Sequence, residues 1–155
     1  MEAKMPFQLW TQPHWELKGR ANSALFFRRL PAVLPAATTL FVEGNPFPDV
    51  EDFLRSAAES GDYLPDRQTM WPRAKLYRVR FDGPTLAGLA GLAECHAEPE
   101  LLDHLCVYDG STVLLEFHDA FMGDSTALIS TDTDEQLIRD FAAALGLQLR
   151  QAEPD

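Results

Sequence analysis

The sequence predicts one α+β domain: a mixed, largely antiparallel sheet of five to six strands with helices mainly on one face. Three observations point there. Two β-rich runs flank Asp109-Gly110, the pattern of a hairpin. Apolar residues recur at helical spacing within 48–60 and 133–145. The 155 residues are 46% hydrophobic, enough for one core without disulfide staples. A three-layer α/β sandwich is the alternative, because two strands are joined through a helix and could run parallel.

The elements follow in order. Trp10, His14, Trp15 and Leu17 suggest an extended segment lying against the body. Asn22 is placed to cap a short helix with Leu25, Phe26 and Leu30 on its apolar side; Pro31 and Pro35 break the pattern, although Pro31 could open one further turn. Thr38 to Val42 reads as a buried strand and Asn45-Pro46-Phe47-Pro48 as a turn. Pro48 to Ser60 is a helix with Val50, Phe53, Leu54 and Ala57 inward and Gly61 as its stop. Residues 61–73 form a long connection, a length that often carries function. Ala74 to Phe81 is a strand, with Tyr77, Val79 and Phe81 on one face and Leu76, Arg78 and Arg80 on the other.

A helix starts at Gly83-Pro84. Its stripe is Leu86, Leu89, Ala90 and Ala93, and Gly88 and Gly91 allow close packing. Pro99 to His104 is a second helical piece. Pairing Tyr108 with Ser111 places Cys106, Val113, Leu115 and Phe117 on one face of the hairpin. Leu105, Val107, Leu114, Glu116 and His118 take the other. Thr126 to Ser130 extends this meander. Thr133 caps a last helix in a capping box with Gln136, Leu137, Ile138, Phe141, Ala142 and Leu145 turn inward, and Gly146 ends it. Leu147 to Arg150 forms a short strand, and 151–155 fray. The expected core includes Phe53, Leu54, Val79, Leu89, Val113, Leu115, Phe141 and Leu145.

The charge is unevenly placed. Between Phe81 and Ile138 there is no lysine or arginine, yet twelve carboxylates: Asp82, Glu94, Glu98, Glu100, Asp103, Asp109, Glu116, Asp119, Asp124, Asp132, Asp134 and Glu135. Just upstream, Arg67, Arg73, Lys75, Arg78 and Arg80 meet only Asp66. Net charge is −11 and the pI is near 4.7. That balance opposes direct nucleic-acid binding, which needs cations to displace phosphate counterions, and docking on anionic lipid. No stretch approaches the roughly 18 apolar residues of a membrane span. The first residues lack the apolar centre of a signal peptide, so a cytoplasmic location is expected.

Several constellations could carry chemistry. Glu116 and His118 lie two apart on one strand and share a face, as a general acid–base pair would. Arg78 and Arg80 also share a face and could clamp an anion, or pair with acids such as Glu43 or Glu116 across the sheet. Cys95, His96, His104 and Cys106 are zinc-type ligands, but their spacing matches no usual paired knuckle, and neither a metal nor a cofactor is expected. Tyr63, Met70 and Trp71 in the long connection are residue types enriched at interfaces.

Two functional classes follow. The first is a non-enzymatic, inhibitor- or immunity-like or chaperone-like protein that engages a basic protein partner. Its contacts would be Glu94, Glu98, Glu100 and Asp103, helped by Tyr63, Met70 and Trp71. The second is a small enzyme acting on an anionic substrate. It requires Arg78, Arg80, Glu116 and His118 to converge in one pocket.

Overall fold

The computed structural model describes residues 3–5, 9–60, 63–65, 75–96, 98–123 and 125–154; for 3–5, 63–65 and 98–99 the backbone alone is described. The elements run β1 (Ala3–Met5), a 3-10 turn (Leu9–Thr11), β2 (His14–Lys18), α1 (Ser23–Val33), β3 (Thr39–Gly44) and α2 (Pro48–Ser56). There follow β4 (Tyr63–Pro65), β5 (Lys75–Arg80), α3 (Gly83–Ala93), α4 (Glu98–Leu101), β6 (His104–Asp109), β7 (Thr112–Phe117), β8 (Thr126–Ser130), α5 (Glu135–Leu145) and β9 (Gln148–Ala152). A seven-stranded sheet has the order β5-β3-β6-β7-β8-β2-β9, with every neighbouring pair antiparallel. Strands β1 and β4 form a separate two-stranded parallel ladder.

The α+β class holds, with corrections of detail. The sheet has seven strands rather than five or six, because β2 joins it beside the expected C-terminal strand β9. β2 is an interior strand between β8 and β9, not a segment lying against the body. β3 and β5 pair antiparallel despite the helix between them. Residues 57–59 continue past α2 along the outer edge of β5. There Arg80 donates its N–H to the Ala57 carbonyl and Glu59 donates to that of Arg78. This return lets the chain reverse direction, and it also covers a sheet edge that would otherwise invite aggregation.

The apolar faces of α1, α2, α3 and α5 meet one face of the sheet in a single core. Phe26 is its hub. The ring is fully buried and touches Phe117 of β7 at 5.4 Å, Phe121 at 5.1 Å and Phe141 of α5 at 5.3 Å, all by ring centroid. Phe121 takes a positive φ of 64° in the β7–β8 connection, a strained state for a bulky residue. The ring burial it gains against Phe26, Phe27 and Phe117 offsets that strain. Gly88 faces Phe53 so closely that a Cβ there would sit 2.3 Å from the ring, which explains a glycine inside α3 despite its low helix propensity.

The capping signals read well. The Asn22 side chain accepts the Leu25 N–H at 2.9 Å, and Gly146 ends α5 in the left-handed region. Pro31 lies inside α1 rather than breaking it. Asp134, not Thr133, caps α5, accepting the Leu137 N–H at 3.1 Å. α2 stops at Ser56, short of Ser60, and His104 opens β6 instead of closing a helix. Gln151 and Ala152 belong to β9 rather than to a frayed tail. Of the expected core, Phe53 and Val113 are only partly buried; Val113 packs on the opposite face.

The hairpin register also differs. Asp109 pairs with Thr112, so the loop is Gly110-Ser111, and only Gly110 of the two has a positive φ, as a II′ rather than a I′ turn needs. A bulge then leaves Leu114 unmatched, with Val107 opposite Leu115 and Cys106 opposite Glu116. Leu105, Val107, Leu115 and Phe117 therefore face the helices, and Cys106, Tyr108 and Glu116 face away. A one-residue slip exchanges the faces of a strand.

Truncating the hub tests this packing. Phe26→Ala should lower the unfolding free energy by about 3–5 kcal/mol, measured by urea denaturation. A loss under about 1 kcal/mol would mean that the ring cluster is not the centre of the core.

Candidate functional site

The face of the sheet turned away from the main helices carries the unusual side chains. Register places Arg78, Phe41, Cys106 and Glu116 in one row across β5, β3, β6 and β7. Phe41, Cys106 and Tyr108 form a small buried cluster, with Leu76 and Val113 at its edge. Glu43 and Glu116 are almost wholly buried, Glu116 at 0% exposure. The Leu9 N–H donates to Glu116 Oε1 at 2.7 Å, so the N-terminal 3-10 turn is tied to the middle of this face.

The four residues of the anion-substrate reading do not meet. Arg78 and Glu116 are three strand spacings apart, roughly 14 Å, with Phe41 and Cys106 between them. Arg78 lies over the Phe41 ring at 5.6 Å and pairs with Glu59 at 3.4 Å. Arg80 pairs with Asp82 at 3.5 Å. It belongs to the end of the sheet where β3 starts and β6 finishes, while His118 follows β7 at the opposite end. The arginines thus find acids, Arg78 across the edge to Glu59 and Arg80 two residues along the chain to Asp82, rather than Glu43 and Glu116. His118 lies in the turn just beyond β7. Its pKa is pushed below the usual histidine range, first by burial and then by His104, with Asp119 and Glu43 opposing. A raised value, as an acid–base pair with Glu116 would have, is not what the surroundings favour.

The zinc-type residues are likewise dispersed. Cys95 is exposed at the end of α3, and Cys106 is buried beside Glu116, where burial pushes its thiol well above the ordinary range. The Asp119 N–H points to His104 Nδ1, 2.9 Å away. Among the described residues no three metal-capable side chains gather.

The residues of the basic-partner reading stand elsewhere, at the end of the sheet where α3, α4 and the start of β6 meet. Glu94, in an ion pair with Arg28, caps the C-terminus of α3. Glu100 lies in α4 and contacts His96. Asp103 leads into β6, half-buried, with its carboxyl pushed up chiefly by burial; His104 opposes, and Asp119 and Glu43 add to the rise. Its carbonyl accepts the Ala120 N–H at 2.8 Å, which brings Asp119, 76% exposed at its side chain, to the same corner. Glu98 begins α4. Tyr63 lies in β4, and Met70 and Trp71 fall outside the described residues.

Sequence reasoning missed the centre of this corner. His96 stands between two carboxylates, with Nε2 2.7 Å from Asp49 Oδ2 and Nδ1 3.1 Å from Glu100 Oε1. Phe47 stacks edge-on against the imidazole at 5.5 Å, is itself 48% exposed, and donates its N–H to the Glu100 carbonyl at 2.9 Å. The hydrogen bond to Asp49 pushes the His96 pKa up; burial opposes, and Glu100 adds to the rise. His96 lies between α3 and α4, outside any helix, so its spacing of four from Glu100 carried no helical signal. Asp49, 47 positions away, gave none either.

Comparison with protein-family models, with curated proteins and with solved structures finds no match to this chain. No helix among the described residues is long and apolar enough to cross a membrane.

Thiol chemistry tests the geometry of the two cysteines. A disulfide reagent at neutral pH should modify one thiol per native chain, Cys95, and reach Cys106 only on unfolding. Two rapid equivalents in the native protein would contradict the burial of the Cys106 face.

Proposed function

We propose that this protein is a non-catalytic binding protein that takes a basic protein partner on the acidic corner formed by α3, α4 and the β7–β8 connection. The observation that carries this reading is an exposed apolar ring, Phe47, set beside the carboxylates Asp49 and Glu100, with Glu94, Asp103 and Asp119 on neighbouring elements. An apolar anchor rimmed by like charges suits a partner that brings lysine and arginine around an apolar contact of its own. The long-range field of the acidic stretch would steer such a partner inward. The inhibitor-, immunity- and chaperone-like possibilities share this chemistry, and a cytoplasmic setting agrees with it. The dispersal of Arg78, Arg80, Glu116 and His118 gives the enzymatic alternative no comparable support.

The test is kinetic. Partners captured from the native cell are identified by mass spectrometry, and purified binding is then followed by surface plasmon resonance. Glu94→Lys, Glu98→Lys and Asp119→Lys together should slow association on the order of tenfold at low salt and flatten its salt dependence. Phe47→Ala should instead speed dissociation by roughly thirtyfold, the equivalent of about 2 kcal/mol for a buried anchor. An acidic partner, or unchanged kinetics in both variants, would remove this surface from consideration.

A further inference from the structure

We propose that His96 is a pH-operated latch: as imidazolium it ties the first turn of α2 to α4, and on losing a proton it releases one of them. Both ring nitrogens face carboxylate oxygens, Nε2 toward Asp49 at 2.7 Å and Nδ1 toward Glu100 at 3.1 Å. A carboxylate can only accept, so both nitrogens must donate, and only the imidazolium has two N–H groups. Neutral imidazole keeps one N–H and turns a lone pair toward the other carboxylate. That contact changes from a charge-assisted hydrogen bond into a repulsion.

The surroundings suit a latch more than a static bridge. The His96 side chain is 12% exposed, so protons reach it, yet it is held between separate elements. Among the described residues, the charged groups that face it are Asp49 from α2 and Glu100 from α4; the connection before α2 presents the Phe47 ring. The helix before it ends in Glu94, which turns to Arg28. α4 is only four residues long, too short to hold its place by helical cooperativity. Its position depends on contacts such as Leu101 in the core, the Phe47–Glu100 backbone bond and this histidine.

The sign of the pH dependence follows. His96 is held above its ordinary value of about 6.5 by the Asp49 hydrogen bond, with Glu100 adding. Its contribution to holding α4 is complete below that ordinary value and is lost as pH rises through the higher, folded one. Opening removes the imidazolium charge from between Asp49 and Glu100 and loosens the support under Phe47. The latch stands whether or not that corner receives a basic partner.

The experiment is an NMR titration of the native protein, with His96 signals assigned by comparison with a His96→Asn variant. The His96 midpoint should lie above 6.5, and the backbone amides of Phe47 and Glu100 should shift with that same midpoint. In Asp49→Asn, a change at an exposed position, the midpoint should fall and the amide response should move with it. A wild-type midpoint at or below 6.5 would overturn the latch. So would Phe47 and Glu100 amides that stay fixed or follow a different midpoint.

Discussion

A buried carboxylate at the centre of the sheet ties the N-terminal segment to the body. Glu116 lies on the interior strand β7, wholly removed from solvent, and accepts the Leu9 N–H. An ionised carboxylate in such a place is costly unless hydrogen bonds satisfy it. A peptide N–H brought over the face by the 3-10 turn at 9–11 supplies one such bond. The chain then leaves this turn directly into β2, which pairs on both sides, with β8 and with β9. Fixing Leu9 over Glu116 therefore also helps to set where the last strand can add.

Two layers of different character result. On one face, Phe26 and its aromatic neighbours unite α1, α5 and β7 in an ordinary apolar core. On the other, Arg78, Glu43, Glu116, His104 and His118 share space with Phe41, Cys106 and Tyr108. Polar groups on this face are held by specific partners, among them Glu59 for Arg78 and the Asp119 N–H for His104. The polar corner next to it extends the same logic to the surface, where His96 joins two carboxylates from different elements.

Much of the fold was legible because it rests on local chemistry. Asn22 and Gly146 act through groups within a few residues, and the α5 stripe of Ile138, Phe141, Ala142 and Leu145 is a matter of helical period. The hairpin was legible as a hairpin, but not its register. Asp-Gly is the stronger I′ signal, while the Leu114 bulge depends on packing that only tertiary structure sets. The direction of β5 depended on the return of 57–59 along its edge, and the place of β2 on pairing with strands more than a hundred residues away. The site followed the same division. Strand alternation predicts one face for Glu116 and His118, but β7 ends at Phe117 and His118 lies in the turn beyond it. The partners that decide their chemistry, Leu9, His104, Asp119 and Glu43, come from other elements.

The most direct test of this account is the hydrogen exchange of the Leu9 amide in the native protein. Leu9 is the first residue of a short 3-10 turn, so its N–H has no partner within the turn. If Glu116 holds it, the amide should exchange as slowly as interior amides of β7, through opening of the body itself. Exchange at the rate of an unprotected amide would show that the N-terminal turn is not anchored to the sheet, and the account of the second face would fail with it.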